Sequence, residues 1–217
     1  DALRIAQGLF LRFPPGRVGR CAALRAIGKE IAPDYSEEAG KRIDVITPGG
    51  ATWTQAVRSD VDFVMSVVTP GVIVLGGDFI GIPEEMLRRI AWYVAFNRRW
   101  RRFLAESVVH LLTPVQCLTD RQGWVAFQFQ NAGRSVSLVC AYQLGDGPDL
   151  KILPLQDLDR GCEYTVRRES PDGGAVERLS GARLADEGLP VRLSSGYHGL
   201  RAAAIFSVRR APVRRAE

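Results

Sequence analysis

Pro70-Gly71-Val72-Ile73-Val74-Leu75-Gly76-Gly77-Asp78 decides how the first half of the chain is read. Proline lacks a backbone donor and glycine loosens the backbone, so Pro70-Gly71 stops a helix. Val72 to Leu75 is a continuous apolar run, which predicts a short strand buried on both faces, as parallel strands are. Gly76-Gly77-Asp78 follows as a loop. Upstream, Val57, Val61, Val64, Met65 and Val68 recur at helical spacing, and Thr52 or Thr54 is placed to cap that helix. Downstream, Pro83, Glu84 and Glu85 open a further helix running to about Leu104, with acids where the helix dipole favours them. Leu87, Ile90, Ala91 and Val94 lie along one side of it, and Trp92, Phe96, Trp100 and Phe103 along another. Contact on two sides is therefore expected.

Helix, apolar strand, glycine loop, helix is an α/β pattern. One strand cannot form a sheet, so its neighbours are expected upstream of this chain. Asp1–Phe13 reads as a helix stopped by Pro14-Pro15-Gly16, and residues 16–50 read as irregular. The chain begins Asp1-Ala2-Leu3, without methionine, which predicts a piece of a longer protein. The pattern suits the last units of a (β/α)8 TIM barrel, whose loops after the strands carry the chemistry.

From Val108 the period changes to two. Val125, Phe127 and Phe129 share a face; so do Val136, Leu138, Cys140, Tyr142 and Leu144, with Ser135, Ser137 and Gln143 opposite. Ile152-Leu153, Tyr164/Val166, Val191/Leu193 and Ala202–Val208 are further strands. Asn131-Ala132-Gly133, Asp146-Gly147-Pro148-Asp149 and Pro171-Asp172-Gly173-Gly174 are turns. Antiparallel strands of this kind pack as a C-terminal β-sandwich. The predicted division is 1–105 for the barrel part and 106–217 for the sandwich, with no flexible linker near 104–108.

Composition excludes several classes. With 46% apolar residues the chain is not disordered, and four cysteines in 217 residues are too sparse for a disulfide scaffold. No apolar run approaches the roughly 18–20 residues of a membrane span, so no membrane partner is expected. The net charge of +5 is nearly all arginine. Its densest cluster, Arg98-Arg99-Trp100-Arg101-Arg102, reads as a solvated helix end whose cations match the dipole, rather than a nucleic-acid surface. The run Arg209 to Arg215 reads as a frayed tail.

Chemistry-bearing patterns are scarce. His110 and His198 each stand alone. Cys21, Cys117, Cys140 and Cys162 lack zinc-ligand spacing, so no metal and no cofactor is predicted. Gly-x-Ser-x-Gly is absent, and the glycines from Gly71 to Gly77 lack both phosphate-loop and dinucleotide spacing. Asp60 and Asp62, two apart on a helix, do not face each other. Asp78, in the loop after the strand, is the best-placed carboxylate. No catalytic residue is assigned within the chain.

The ordered motifs resemble the α-galactosidases of glycoside hydrolase family thirty-six, the melibiase group. Asp1-Ala2-Leu3-Arg4-Ile5-Ala6-Gln7-Gly8 and Phe13-Pro14-Pro15-Gly16-Arg17-Val18-Gly19 resemble that family's Ser-Asp-x-x-Asp-Ala-x-x-x-x-Ile-Gln-x-Gly and Pro-Pro-Glu-x-Met-Gly-x-His. Tyr93-Val94-Ala95-Phe96-Asn97-Arg98-Arg99-Trp100-Arg101 and Val109-His110-Leu111-Leu112-Thr113-Pro114 resemble its last barrel helix and the lead into its sandwich. Gly123-Trp124-Val125-Ala126-Phe127, Leu153 to Asp159, Tyr164-Thr165-Val166 and Leu179 to Val191 resemble segments of that sandwich. Glycine stands at Gly16 and cysteine at Cys21, where the family usually has glutamate and often histidine, and residues 22–52 match poorly.

The resemblance implies a retaining hydrolase of terminal α-galactosides such as raffinose and melibiose. Such an enzyme uses a nucleophile and an acid/base carboxylate roughly 5–5.5 Å apart. Asp1 matches the second aspartate of Ser-Asp-x-x-Asp-Ala, so the acid/base falls three residues ahead of it and the nucleophile further upstream. This piece is expected to be inactive alone, with Asp78 and Asp1 as substrate-binding candidates from their barrel-loop positions. The resemblance further implies a homo-oligomer in the full-length protein, and the compartment is expected to be cytoplasmic. The alternative is a non-catalytic β-sandwich that binds carbohydrate on exposed rings, with Trp124, Tyr142 or Tyr164 as the platform.

Overall fold

The computed structural model describes residues 19–25, 42–46, 56–77, 79–115, 123–144, 148–193 and 202–212. Three strands, Gly19–Arg25 (β1), Arg42–Ile46 (β2) and Ala56–Asp60 (β3), precede helix Val61–Val68 (α1), strand Val72–Gly77 (β4) and helix Glu84–Glu106 (α2). The four strands form one sheet in the order β3-β2-β1-β4. β1 and β4 run parallel, from Gly19 opposite Val72 to Leu24 opposite Gly77, while β2 and β3 add as antiparallel strands.

Several expectations change here. The stretch 16–50 contains two strands rather than none, and β4 finds its parallel neighbour inside this chain. Val57 lies on β3 opposite Val45, so the helix starts later than its spacing suggested. Asp60, not Thr52 or Thr54, caps α1: its Oδ1 accepts the amides of Asp62 and Phe63 at 2.8 and 3.2 Å. The run Val72 to Leu75 is a strand as expected, but not a buried one. Val72, Val74 and Leu75 are 46%, 49% and 36% exposed. β4 ends the sheet order, so nothing described lies beyond it.

α2 passes through Ser107 directly into β5 (Val108–Leu111), without a linker. Next come β6 (Trp124–Gln130), β7 (Val136–Gln143), β8 (Leu150–Leu153), β9 (Glu163–Glu169), β10 (Val176–Ser180), a short helix α3 (Gly181–Asp186), β11 (Leu189–Arg192) and β12 (Ala202–Arg210). Six strands make one antiparallel sheet, β10-β9-β12-β7-β6-β5; β8 and β11 make a second of two strands. The alternation read from the sequence assigns the faces correctly. Val125, Phe127, Phe129, Leu138, Cys140 and Tyr142 point to one side, where α1 and α2 cover them. The opposite side is also buried: Ala126, Val139 and Phe206 pack under Leu153, Leu155, Leu184 and Val191 of the smaller sheet, α3 and their loops. Ser137 and Gln143 therefore sit in an interior instead of facing water.

The helical layer is joined to the large sheet by specific bonds as well as by apolar contact. The α1 C-terminus leaves carbonyls without helical partners. Tyr142 donates its hydroxyl to Ser66 O at 2.8 Å, Thr69 Oγ1 donates to Met65 O at 2.7 Å, and Asn97 Nδ2 donates to Thr69 O and Gly71 O at 2.7 and 2.8 Å. On α2 the buried line is Met86, Ile90, Tyr93, Phe96, Trp100 and Leu104; Leu87 and Ala91 face solvent.

Gly181 marks a close backbone approach. A Cβ on Gly181 would sit 2.0 Å from Asp159 O, whereas one on Gly133 meets nothing nearer than 3.7 Å. Gly181→Ala is expected to lower unfolding free energy by more than about 2 kcal/mol, and Gly133→Ala to change it by less than about 0.5 kcal/mol, as measured by denaturant titration. Equal effects would show that the Gly181 contact is readily relieved.

Candidate functional site

In an α/β sheet, ligands gather beyond the carboxyl ends of the parallel strands. Here those ends are Leu24 of β1 and Gly77 of β4, which lie side by side. A turn at Phe79–Ile82, closed by the Ile82 amide to Phe79 O at 3.3 Å, then delivers the chain to the N-terminus of α2. Ile80, on that turn, is the most exposed large apolar side chain among the described residues, at 86%. Asp78, between strand and turn, and Asp1 both lie outside the described residues, as do His198 and Cys117.

The other singled-out residues occupy structural places. His110, on β5, brings Nε2 to 3.2 Å from Gln130 Oε1. Cys140 is fully buried beneath the helices. The Asp159 carboxylate beside Cys162, together with burial, pushes the thiol pKa up, which suppresses the thiolate a nucleophile needs. The same thiol, with the Gly161 amide, holds the Asp159 carboxyl below the usual range. Its stabilising effect is thus present above the ordinary carboxylate range and is lost as pH falls through the lowered pKa. Trp124, Tyr142 and Tyr164 are 4%, 0% and 0% exposed, so none offers a ring face to a sugar. Trp124 Nε1 donates to Pro148 O, and the Tyr164 hydroxyl donates to Arg134 O. Among the described residues no group of His, Cys, Asp or Glu is arranged to hold a metal ion, and no helix is long and apolar enough to cross a membrane.

Arg89 was not singled out by the sequence reading, yet it gathers Asp62 and Asp172 into one charged cluster. It is 3% exposed and sits in phase with Met86 and Tyr93. An arginine within an apolar helical stripe is the signal that could have found it. Its Nε and Nη2 donate to Asp62 at 2.9 and 2.6 Å, and its Nη1 and Nη2 donate to Asp172 at 2.8 and 2.7 Å. These bonds to Asp172 and Asp62 raise the guanidinium pKa well above its ordinary value. The arrangement is chemically a clamp. A doubly ion-paired arginine gives up no proton, and it ties α1 and α2 to the β9–β10 turn. Asp62 thus faces Arg89, while Asp60 serves as the cap.

A groove of about 700 Å³ runs between the outer side of α2 and β4, lined by Val72, Ile73, Leu75, Val94, Arg98, Arg101 and Arg102 among others. The arginines do not occupy the final turn of α2, which holds no basic residue. They stand on the groove instead of meeting the helix dipole. Trp100, within the same run, is buried at 3% exposure.

No family model and no curated protein matches this sequence. Solved structures do match. The α-galactosidase from Lactobacillus brevis superposes with a TM-score of 0.70 at 13% identity, covering 100% of this chain and 26% of that one. The GH36 α-galactosidase AgaA from Geobacillus stearothermophilus gives 0.69 at 16% identity, covering 97% and 25%. A variant of that enzyme solved with raffinose gives 0.64 at 19% identity, covering 97% and 25%. This chain thus has the fold of the C-terminal part of those enzymes and spans about a quarter of their length.

Removing the Arg89 clamp tests its structural role. The freed Asp62 and Asp172 reach water, being 27% and 59% exposed. Arg89→Met is therefore expected to cost about 2–3 kcal/mol of unfolding free energy, at or below the low end for a broken buried pair, and Asp172→Asn less than about 1 kcal/mol, both by denaturant titration. A neutral Arg89→Met would show that the clamp adds nothing net.

Proposed function

We propose that this chain is part of a retaining glycoside hydrolase acting on terminal α-galactosides of the raffinose and stachyose type. The observation that carries the reading is the fold match over 97–100% of the chain to several α-galactosidases. Two of the similar structures, variants of AgaA, were solved with raffinose and with stachyose. On this reading residues 1–105 belong to a (β/α)8 barrel and 106–217 form its C-terminal sandwich. The parallel pair of β1 and β4, flanked by α1 and α2, suits closing barrel strands. The exposed edge and apolar side chains of β4 suit a strand that has a further neighbour in the whole protein.

In such a reaction one carboxylate attacks the anomeric carbon while the other protonates the departing oxygen. Water then releases the glycosyl-enzyme, with the second carboxylate acting as base. Both carboxylates would come from polypeptide outside these residues. The part given to this chain is positional. Gly76-Gly77 brings backbone without side chains to the strand end, Asp78, next in sequence, is proposed to accept hydrogen bonds from sugar hydroxyls, and the Phe79–Ile82 turn forms the rim. The sandwich would brace α2 through the shared core, and the whole protein is proposed to be a homo-oligomer.

The test compares two polypeptides on p-nitrophenyl α-galactoside. The parent protein is expected to release p-nitrophenol and this chain alone to release none. Turnover by the isolated chain would overturn the placement of the carboxylates, and no turnover by a folded parent would overturn the substrate class.

A further inference from the structure

We infer that Asp172, a residue of the antiparallel half, positions the rim of the proposed sugar site, acting through Arg89 and the first turns of α2. The inference rests on the reading that the Phe79–Ile82 turn borders that site, and it gives the sandwich a part in substrate binding. Topology puts the contact at the right end of the α/β sheet. α2 starts directly after the turn that follows the carboxyl end of β4. α1 finishes where β4 is about to begin, so its first turn, with Asp62, lies toward that same carboxyl end. Arg89, less than two helical turns beyond Pro83 and so about 9 Å along α2, bonds Asp62 there. Asp172 reaches the same guanidinium from the β9–β10 turn.

The start of α2 depends on this outside support. Its N-cap is Pro83, which makes no side-chain cap bond, so nothing local fixes the direction in which the helix leaves the turn. The Arg89 fork does so. It meets Asp172 at two points, Nη1 to Oδ1 at 2.8 Å and Nη2 to Oδ2 at 2.7 Å, and a two-point contact sets angle as well as distance. The far side of the contact is equally determined. Ser170 Oγ accepts the Asp172 amide at 3.2 Å, and the Gly173 amide donates to Ser170 O at 3.0 Å. Gly173 takes a φ of 80°, and a Cβ on Gly174 would overlap Arg168 O. A turn specified this closely presents a carboxylate that is 59% exposed, and an ion pair to so wet a carboxylate adds little stability. What it supplies is orientation, and a binding edge displaced by about 1 Å loses much of its effect on a bound substrate.

Two measurements test this. In the parent protein, Asp172→Asn is expected to raise KM for p-nitrophenyl α-galactoside at least about fivefold while kcat stays within about twofold, because the rim binds sugar and the reacting carboxylates lie elsewhere. Arg89→Lys, which retains the charge and loses the fork, is expected to do the same, and the double variant to be no worse than Arg89→Lys alone. Glu187→Gln, which breaks an exposed ion pair on α3, serves as the control and leaves KM unchanged. In this chain alone, Asp172→Asn is expected to speed amide hydrogen exchange over residues 82–90 at least about fivefold and to leave β6 and β7 unchanged. An unaltered KM in an active Asp172→Asn parent, effects of the two substitutions that simply add, or unaltered exchange over 82–90 would each overturn the inference. A wild-type parent without turnover would overturn the substrate class instead, and the exchange measurement would still decide whether Asp172 holds the rim.

Discussion

The centre of the large antiparallel sheet is buried on both faces, and that constraint organises everything else. β6 has no exposed residue along its length, and β7 is buried from Ser137 to Gln143. A sheet of this kind must be covered twice. On one side the cover is α1 and α2, whose Val61, Met65, Phe96 and Leu104 fill the space over Phe127 and Tyr142. On the other it is β8, β11 and α3. At about 25 cal/mol per Å² of apolar surface, each cover stabilises by its area, and neither can be peeled away without exposing large side chains. The helical layer is therefore held by the sheet as much as by its own strands.

Several polar groups in these interiors are answered individually. Gln128, fully buried, donates to Gln156 O at 2.8 Å and accepts from the Gln156 amide at 2.7 Å, which pins the loop carrying Leu155 and Leu158 into the core. Tyr142 and Asn97 answer the carbonyls at the end of α1, and Arg89 answers Asp62 at its start together with Asp172 of the β9–β10 turn. A buried group left unanswered costs about 1–3 kcal/mol, so these side chains fix which arrangement of the layers is stable. Their effect reaches the candidate site through α2, because the helix bonded at Asn97 and Arg89 is the one that the Phe79–Ile82 turn enters.

Much of this was legible in the sequence. The change of period at Val108 marks the passage from helix to sheet, and the alternation through Val136 to Leu144 assigns both faces of β7. Period-two spacing could not show that Ser137 and Gln143 are covered, because the cover comes from Leu153 and Val191, distant in sequence. β1 was missed because its residues mix charge with small apolar groups, and Gly19–Arg25 becomes a strand by pairing with β4; Arg42–Ile46 alternates charged with β-branched residues and was readable as a strand. The α1 start was misplaced because Val57 continues the helical spacing by accident of pairing with Val45. For the site, position after a strand was readable at Asp78, whereas the clamp at Arg89 required knowing that Asp62 and the β9–β10 turn meet there.

On the proposed reading this chain supplies the closing part of a sugar-cleaving barrel, with its contribution at the carboxyl end of β4. The most direct measurement is a structure of the parent polypeptide bound to galactose. The account predicts the sugar against the end of β4, within contact of the segment 76–82, and a further strand hydrogen-bonded along the outer edge of Val72–Gly77. A sugar held elsewhere, with the β4 edge still unpaired, would contradict it.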